Sequence, residues 1–119
     1  MGRTLSAGLV VTLLAVTSAW GQKPPTAQQK RAAQAHFQAG KAYYDAGAWD
    51  DAVREYLAAY ALVPLPELQF NIGQALRMKG DKPKAIEAYG RDLERAPDGP
   101  LADEARNHIA ALKLKIQIE

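Results

Sequence analysis

Apolar residues recur three and four positions apart along most of the chain, the spacing that places them on one face of an α-helix. A clear instance lies near the end, where Leu101, Ala105, Ile109, Leu112 and Ile116 form one apolar stripe. Together with the positions of glycine and proline, this spacing predicts five helices, at 27–46, 49–62, 67–79, 82–95 and 101–117. We therefore expect an all-α fold.

The predicted helices begin and end at residues with recognised capping chemistry. Thr26 followed by Gln29 predicts a capping box, so the first helix should begin near Ala27. Later breaks fall at 47, 64–66, 80–81 and 97–100, where glycine or proline ends a helix. Segment 22–26 is polar and carries two prolines, and it is expected to be a short linker.

Six positions recur at an interval of 33 residues. The first copy holds Gly40, Tyr43, Gly47, Ala52, Tyr56 and Pro64, and the second holds Gly73, Leu76, Gly80, Ala85, Tyr89 and Pro97. This order and spacing resemble the tetratricopeptide repeat, a helix–turn–helix unit with a similar signature of small and large residues. The resemblance places the copies at about 33–65 and 66–98, and it implies a superhelix of two repeats.

The repeated residue types also have a physical explanation. Glycine inside a helix costs about 1 kcal/mol relative to alanine, and that cost is offset where two helices cross closely at Gly40 and Gly73. Ala52 and Ala85 are expected to be the small residues on the facing helices. The last predicted helix has no helix after it, and it resembles the solvating helix that closes such a stack.

Two positions depart from the family pattern. The usual tryptophan is His36 in the first copy and Gln69 in the second. The small residue expected late in the second helix is Ala59 in one copy but Asp92 in the other. We expect the Asp92 carboxylate either to lie at an exposed end or to pair with a neighbouring base.

The first 21 residues have the layout of a secretory signal peptide. Arg3 precedes an apolar run that begins at Leu5, and Ala19 and Gly21 are small residues suited to a cleavage site, which we place after Gly21. The predicted organisation is thus a signal peptide at 1–21, a linker at 22–26 and a repeat domain at 27–119. The alternative is an uncleaved anchor, although the apolar run is short for the ~20 residues that span a bilayer.

Composition narrows the expected function. The absence of cysteine excludes disulfides, thiolate metal sites and a lipidated N-terminal cysteine. Cleavage would leave 98 of the 119 residues, lower the net charge from +2 to +1, and remove both serines, Ser6 and Ser18. So small a charge does not suggest nucleic-acid binding. We expect a periplasmic or secreted protein, a compartment that a likeness of segment 97–105 to envelope proteins with these repeats also favours.

The family resemblance implies protein or peptide binding on a concave face lined by the first helix of each repeat. Transferring the groove positions to this sequence gives Phe37, Lys41, Tyr44, Phe70, Asn71, Gln74 and Arg77. Basic residues there could bind a carboxylate, amides could bind backbone, and aromatic rings could bind an apolar side chain. The alternative is that Phe37 and Phe70 belong to the core and that Lys41 and Arg77 only solvate the surface.

The sequence therefore predicts an exported, non-catalytic scaffold without a cofactor or metal and without stable membrane insertion after cleavage. Two repeats are fewer than the three usually needed for a stable stack, so a homo-oligomerising subunit of an envelope assembly is an alternative. A less favoured hypothesis is a small enzyme or enzyme accessory that uses His36 or His108 with nearby carboxylates. Neither histidine has a clear second metal ligand at helical spacing.

Overall fold

Five helices build the chain in this computed structural model, which describes residues 23–119. They are α1 (Ala27–Asp45), α2 (Trp49–Leu62), α3 (Pro66–Lys79), α4 (Lys82–Arg95) and α5 (Ala102–Ile118). The predicted all-α class is confirmed, and each boundary lies within one residue of its prediction. The predicted signal peptide falls outside the described residues.

Local chemistry sets the helix ends. The Thr26 hydroxyl accepts from the Gln29 amide at 3.0 Å, and the Gln29 side chain accepts from the Thr26 amide at 2.9 Å, which completes the capping box. Gly47 and Gly80 adopt positive φ angles of 75° and 92° after α1 and α3. At the start of α4, the Asp81 carboxylate accepts from the Lys84 amide.

Each helix packs against the next one along the chain, so the helices form two antiparallel hairpins followed by a single helix. Gly40 of α1 faces the Tyr56 ring of α2, and Gly73 of α3 faces the Tyr89 ring of α4. A Cβ atom at either glycine would lie 2.7–2.8 Å from ring carbons, which is closer than van der Waals contact permits. Both glycines are therefore required for close helix crossing.

Packing is densest in the middle of the stack, and both outer helices bury fewer residues than α3. In α3, seven residues are buried, because α3 lies between α2 and α4. In α5, Ala102, Ala105 and Leu112 are buried against the stack, whereas Leu114, Ile116 and Ile118 are exposed. Among residues 23–119, no helix is long and apolar enough to cross a membrane.

The end of α5 carries a pattern that sequence reasoning overlooked. From Leu112 to Glu119 apolar and polar residues alternate, which is typical of a strand with one buried face. The segment is nevertheless helical through Ile118. It continues a helix whose earlier turns are fixed by packing on α4, and this tertiary packing overrides the local β-strand preference.

Asp92 meets neither expectation made from the sequence. Its side chain is not exposed, since the residue is only 2% accessible. Among the ion pairs of the described chain none includes Asp92, so it is not paired with a base either. Burial raises the pKa of the Asp92 carboxyl, and the nearby Glu67 carboxylate raises it further.

Ala52 provides a direct test of the helix pairing. It is fully buried where α2 crosses α1, so we expect Ala52→Leu to overpack the crossing and to lower the free energy of unfolding by about 1–3 kcal/mol. Urea titration followed by circular dichroism measures this change. Ala58→Leu, at a more exposed position of the same helix, is the control and should change the stability much less; equal effects would contradict the pairing.

Candidate binding groove between α1 and α3

A continuous groove runs between α1 and α3, with side chains of α2 contributing to its wall. It has an apolar end and a polar end, and Phe37 and Asn71 line both. Because α1 and α3 are the first helices of successive hairpins, the groove lies where the sequence predicted a concave binding face.

The apolar end is a depression of about 470 Å³ near the start of α3. Besides Phe37, its apolar lining consists of small and branched side chains from three helices and the α2–α3 connection: Ala33, Ala59, Val63, Leu65 and Leu68. Lys30 and Glu67 also line it. A pocket of this size and lining is suited to one or two apolar side chains of a bound segment.

The polar end is smaller, about 330 Å³, and mixes aromatic, charged and amide groups. In addition to the two shared residues, Lys41, Tyr44, Asp45, Tyr56 and Gln74 line it. Burial raises the pKa of the Tyr56 phenol, and the Asp45 carboxylate raises it further, followed by Tyr44. At neutral pH the Tyr56 hydroxyl is therefore protonated and is a hydrogen-bond donor.

Five of the residues selected from the sequence line this one groove: Phe37, Lys41, Tyr44, Asn71 and Gln74. Phe37 is only partly buried, so it contributes both to the core and to the groove wall. The structure brings these side chains together from two helices, as expected for first helices that lie side by side. Their role in binding remains a prediction.

Phe70 and Arg77 lie elsewhere, and their assignment to the groove needs correction. Phe70 is buried, with its ring centroid 5.4 Å from that of Tyr89, because the next helix covers it. The Arg77 guanidinium donates to the Tyr89 hydroxyl at 3.2 Å and to Gln74 Oε1 at 3.4 Å. Phe70 is thus a core residue, and Arg77 supports the neighbouring tyrosine.

Sequence reasoning missed most of the apolar end. Ala59, Val63 and Leu65 come from the end of α2 and from the connection to α3, whereas the candidates were taken only from the first helices. One signal was present in the sequence, because Leu65 stands between two prolines. In the structure Leu65 is half exposed. An exposed leucine held in a rigid proline-flanked turn is a reasonable candidate for a contact residue.

The two histidines each lie near one carboxylate. His36 Nδ1 is 2.7 Å from Glu55 Oε2, which joins α1 to α2, and His108 Nε2 is 3.5 Å from Glu104 Oε1 within α5. Within residues 23–119 no group of three potential metal ligands is found. The His36–Glu55 pair has a structural explanation, since it links α1 to α2 at the position where the repeat usually has tryptophan.

The fold is that of a helical-repeat protein, built from stacked helix hairpins with a groove between successive first helices. The chain belongs to the tetratricopeptide repeat family, whose family model matches residues 37–100, more than half of the sequence. The matched segment ends before α5. Comparison with curated proteins finds no match to the sequence. Repeats of this family generally mediate protein–protein interaction, and they are typically non-catalytic.

Proposed function

We propose that the protein is an exported, non-catalytic scaffold that binds a segment of another protein in the groove between α1 and α3. The observation that carries this proposal is that an apolar pocket and a polar, amide-bearing surface lie side by side in one groove. An apolar side chain supplies binding energy by leaving water, at about 25 cal/mol per Å² of buried apolar surface. Polar groups beside the pocket then fix the direction of the bound chain.

The polar end supplies the groups that a peptide backbone needs. The Asn71 carboxamide both donates and accepts, so it pairs with a backbone carbonyl or amide of the bound segment. Lys41 lies within ion-pair distance of no carboxylate among residues 23–119. Its ammonium group is thus available to an acidic side chain or a carboxyl terminus of the partner.

Site-specific photo-crosslinking tests the proposal. A benzophenone side chain at Lys41 should capture a partner in cells, whereas the same group at Glu94, exposed on α4, should not.

The Leu65→Gln variant should abolish the Lys41 crosslink, because it removes an apolar contact at the other end of the groove. Leu57→Gln is the matched control, since Leu57 and Leu65 are equally exposed, at 49% and 50%, and only Leu65 lines the groove. An unchanged crosslink in the Leu65→Gln variant would contradict binding in this groove.

Export is tested separately. N-terminal sequencing of protein recovered from the periplasm or medium should begin at Gln22 if cleavage follows Gly21. Recovery of the full-length chain in the membrane fraction would favour the uncleaved anchor. Recovery of full-length chain in the cytoplasm would overturn export but not groove binding.

Self-assembly is a second candidate function, favoured by the exposed apolar side chains at the end of α5. Leu114 and Ile118 are 59% and 75% accessible, and they lie four residues apart on one helix face. Light scattering coupled to gel filtration should then show a dimer that Leu114→Gln with Ile118→Gln converts to a monomer. A monomer at every concentration would eliminate this candidate.

A further inference from the structure

The chain exposes two separate apolar surfaces. One is the apolar end of the groove, a depression of about 470 Å³ that Leu65 and Leu68 line. The other is the outer face of α5, where the side chains of Leu114 and Ile118 are 59% and 75% accessible. Exposed apolar surfaces of this kind commonly mark interaction sites. Burying either one requires a contact that residues 23–119 do not make within one chain.

The outer face of α5 has the form of a helix that binds in a groove. At about 100° per residue, four exposed apolar residues fall within one sector of this helix: Ala110, Ala111, Leu114 and Ile118. Helices that bind in apolar grooves insert side chains spaced by three or four residues. Leu114 and Ile118 are therefore suited to a depression that accepts one or two apolar side chains.

One chain cannot place its own α5 in its own groove. The Lys82 ammonium donates to the Glu119 carboxylate at 2.6 Å, so the last turn of α5 lies beside the start of α4. The apolar end of the groove lies beside the start of α3, which runs antiparallel to α4. The two surfaces are thus separated by about 20 Å, the length of α3, and packing on α4 holds α5 in place. The occupant of the groove has to come from another molecule.

The charges beside the two surfaces are complementary. Glu67 lines the apolar end of the groove on the α3 side, with Lys30 on the α1 side. At the level of Ile118, helix geometry places Lys115 on one side of the outer face and the neutral Gln117 on the other. Neither Glu67 nor Lys115 is in an ion pair among residues 23–119. With Lys115 beside Glu67, Gln117 faces Lys30, so no like charges meet at this level.

Pairing of two α5 outer faces lacks this complementarity. Lys113 and Lys115 border Leu114 on its two sides, and Glu119, the carboxylate of the last turn, is held by Lys82. Two outer faces in contact would bring together four lysines without a free carboxylate in that turn. The groove wall that carries Glu67 is the better electrostatic match.

We propose that the outer face of α5 docks in the apolar end of the groove of a second copy, so that copies of the chain associate head to tail. This inference rests on the groove of the proposed function and names a second copy as one of its occupants. A head-to-tail interface uses different surfaces on the two copies, so each dimer keeps one free groove and one free α5. The dimer expected above is then the first step, and larger species follow as the concentration rises. A segment of another protein competes with the second copy for the groove.

Complementation between two variants tests the interface, with protein in the form recovered from cells. Leu65→Gln impairs the groove, and Leu114→Gln with Ile118→Gln impairs the outer face of α5; each variant keeps the other surface intact. Separately, both should sediment as monomers at concentrations where the parent protein associates. Mixed, with a fluorescent label on one of them, they should form a 1:1 dimer and nothing larger, because one intact interface remains. Leu57→Gln, equally exposed but outside the groove, should associate like the parent.

Charge reversal provides a second arm. Lys115→Glu should weaken association of the parent chain about two- to fivefold, the range for an exposed ion pair. Adding Glu67→Lys to the same chain should restore association, since the pair is re-formed with its charges exchanged. Circular dichroism checks that each variant keeps the helical content of the parent. A double variant that associates no better than Lys115→Glu would contradict the Glu67–Lys115 contact.

Two results would overturn head-to-tail docking as a whole. Leu65→Gln that associates as strongly as the parent, without complementation, would show that α5 packs on α5 instead. A parent protein that stays monomeric at every concentration would show that the second copy is not an occupant. Neither result affects a Lys41 crosslink to another protein, and absence of that crosslink leaves the 1:1 complementation intact. The two proposals therefore fail in distinguishable ways.

Discussion

Replacing Gly73 with alanine is expected to lower the free energy of unfolding by about 2 kcal/mol, although alanine is the better helix former. The new Cβ would lie 2.8 Å from two carbons of the Tyr89 ring. That ring cannot move aside, because Tyr89 is fully buried, its hydroxyl is bound by Arg77 and Gln74, and His108 stacks on it. The α3–α4 crossing must therefore open.

Alanine substitutions at two other glycines provide comparisons for the expected destabilisation. Gly90 lies inside α4, where a Cβ atom would have no neighbour within 4 Å, so Gly90→Ala should raise the free energy of unfolding by about 0.5–1 kcal/mol through helix propensity alone. Gly40→Ala makes an equally close contact with the Tyr56 ring, but Tyr56 borders the groove and can shift into it. We expect its cost to lie between those of the other two variants.

Thermal and urea unfolding of the three variants, side by side, provide the measurement. The ordering Gly73→Ala least stable, Gly40→Ala intermediate and Gly90→Ala most stable is the specific expectation. If Gly73→Ala were as stable as the parent protein, the close crossing of α3 and α4 would be wrong. If Gly40→Ala were the worst of the three, the mobility assigned to Tyr56 would be wrong.

The helix boundaries could be predicted from the sequence because their causes are local. The Thr26–Gln29 capping box, the left-handed glycines and the prolines each act within a few residues of the position that they control. The repeat period adds the order in which helices pack, since recurring small residues identify the crossings. Tertiary contacts were not needed for either inference.

Much of the groove could also be predicted from the repeat period, but the period could not predict which equivalent residues lie outside the groove. Phe37 and Phe70 occupy equivalent positions, and repeat symmetry predicts the same environment for both. The structure distinguishes them because Phe70 is buried near Tyr89 of α4 and His108 of α5, whereas Phe37 is only partly buried and lines the groove. His108 belongs to a helix outside the matched repeats, and no local pattern predicts which of the two equivalent phenylalanines is covered.

Asp92 could be recognised in the sequence as a departure from the repeat, but its environment could not be inferred. A carboxylate at a small-residue position usually reaches solvent or a cation, since burying an unpaired charge is costly. Here it does neither, being 2% accessible with no ion-pair partner among residues 23–119. The first repeat has Ala59 at the same position, fully compatible with burial.

Restoring alanine at this position is accordingly expected to stabilise the protein. Asp92→Ala should raise the free energy of unfolding at pH 7 by about 1–3 kcal/mol, because it removes a carboxylate that burial and the Glu67 charge both disfavour. Asp92→Asn keeps the side-chain size and removes only the charge, so it separates electrostatics from packing. Asp98→Ala, at an exposed position between α4 and α5, is the control and should leave stability almost unchanged.

The pH dependence of stability distinguishes charge from packing as the cause of this expected stabilisation. Burial and Glu67 raise the pKa of Asp92 in the folded state above its value of about 3.9 in the unfolded chain, so the folded state binds the proton more tightly. The Asp92 penalty is therefore absent below the unfolded pKa, grows as the pH rises through the folded pKa, and is constant above it. The advantage of Asp92→Asn over the parent should therefore be larger at pH 7 than at pH 4, and it should shrink as the pH falls. An advantage that stayed constant across this range would show that packing, and not charge, makes Asp92 unfavourable.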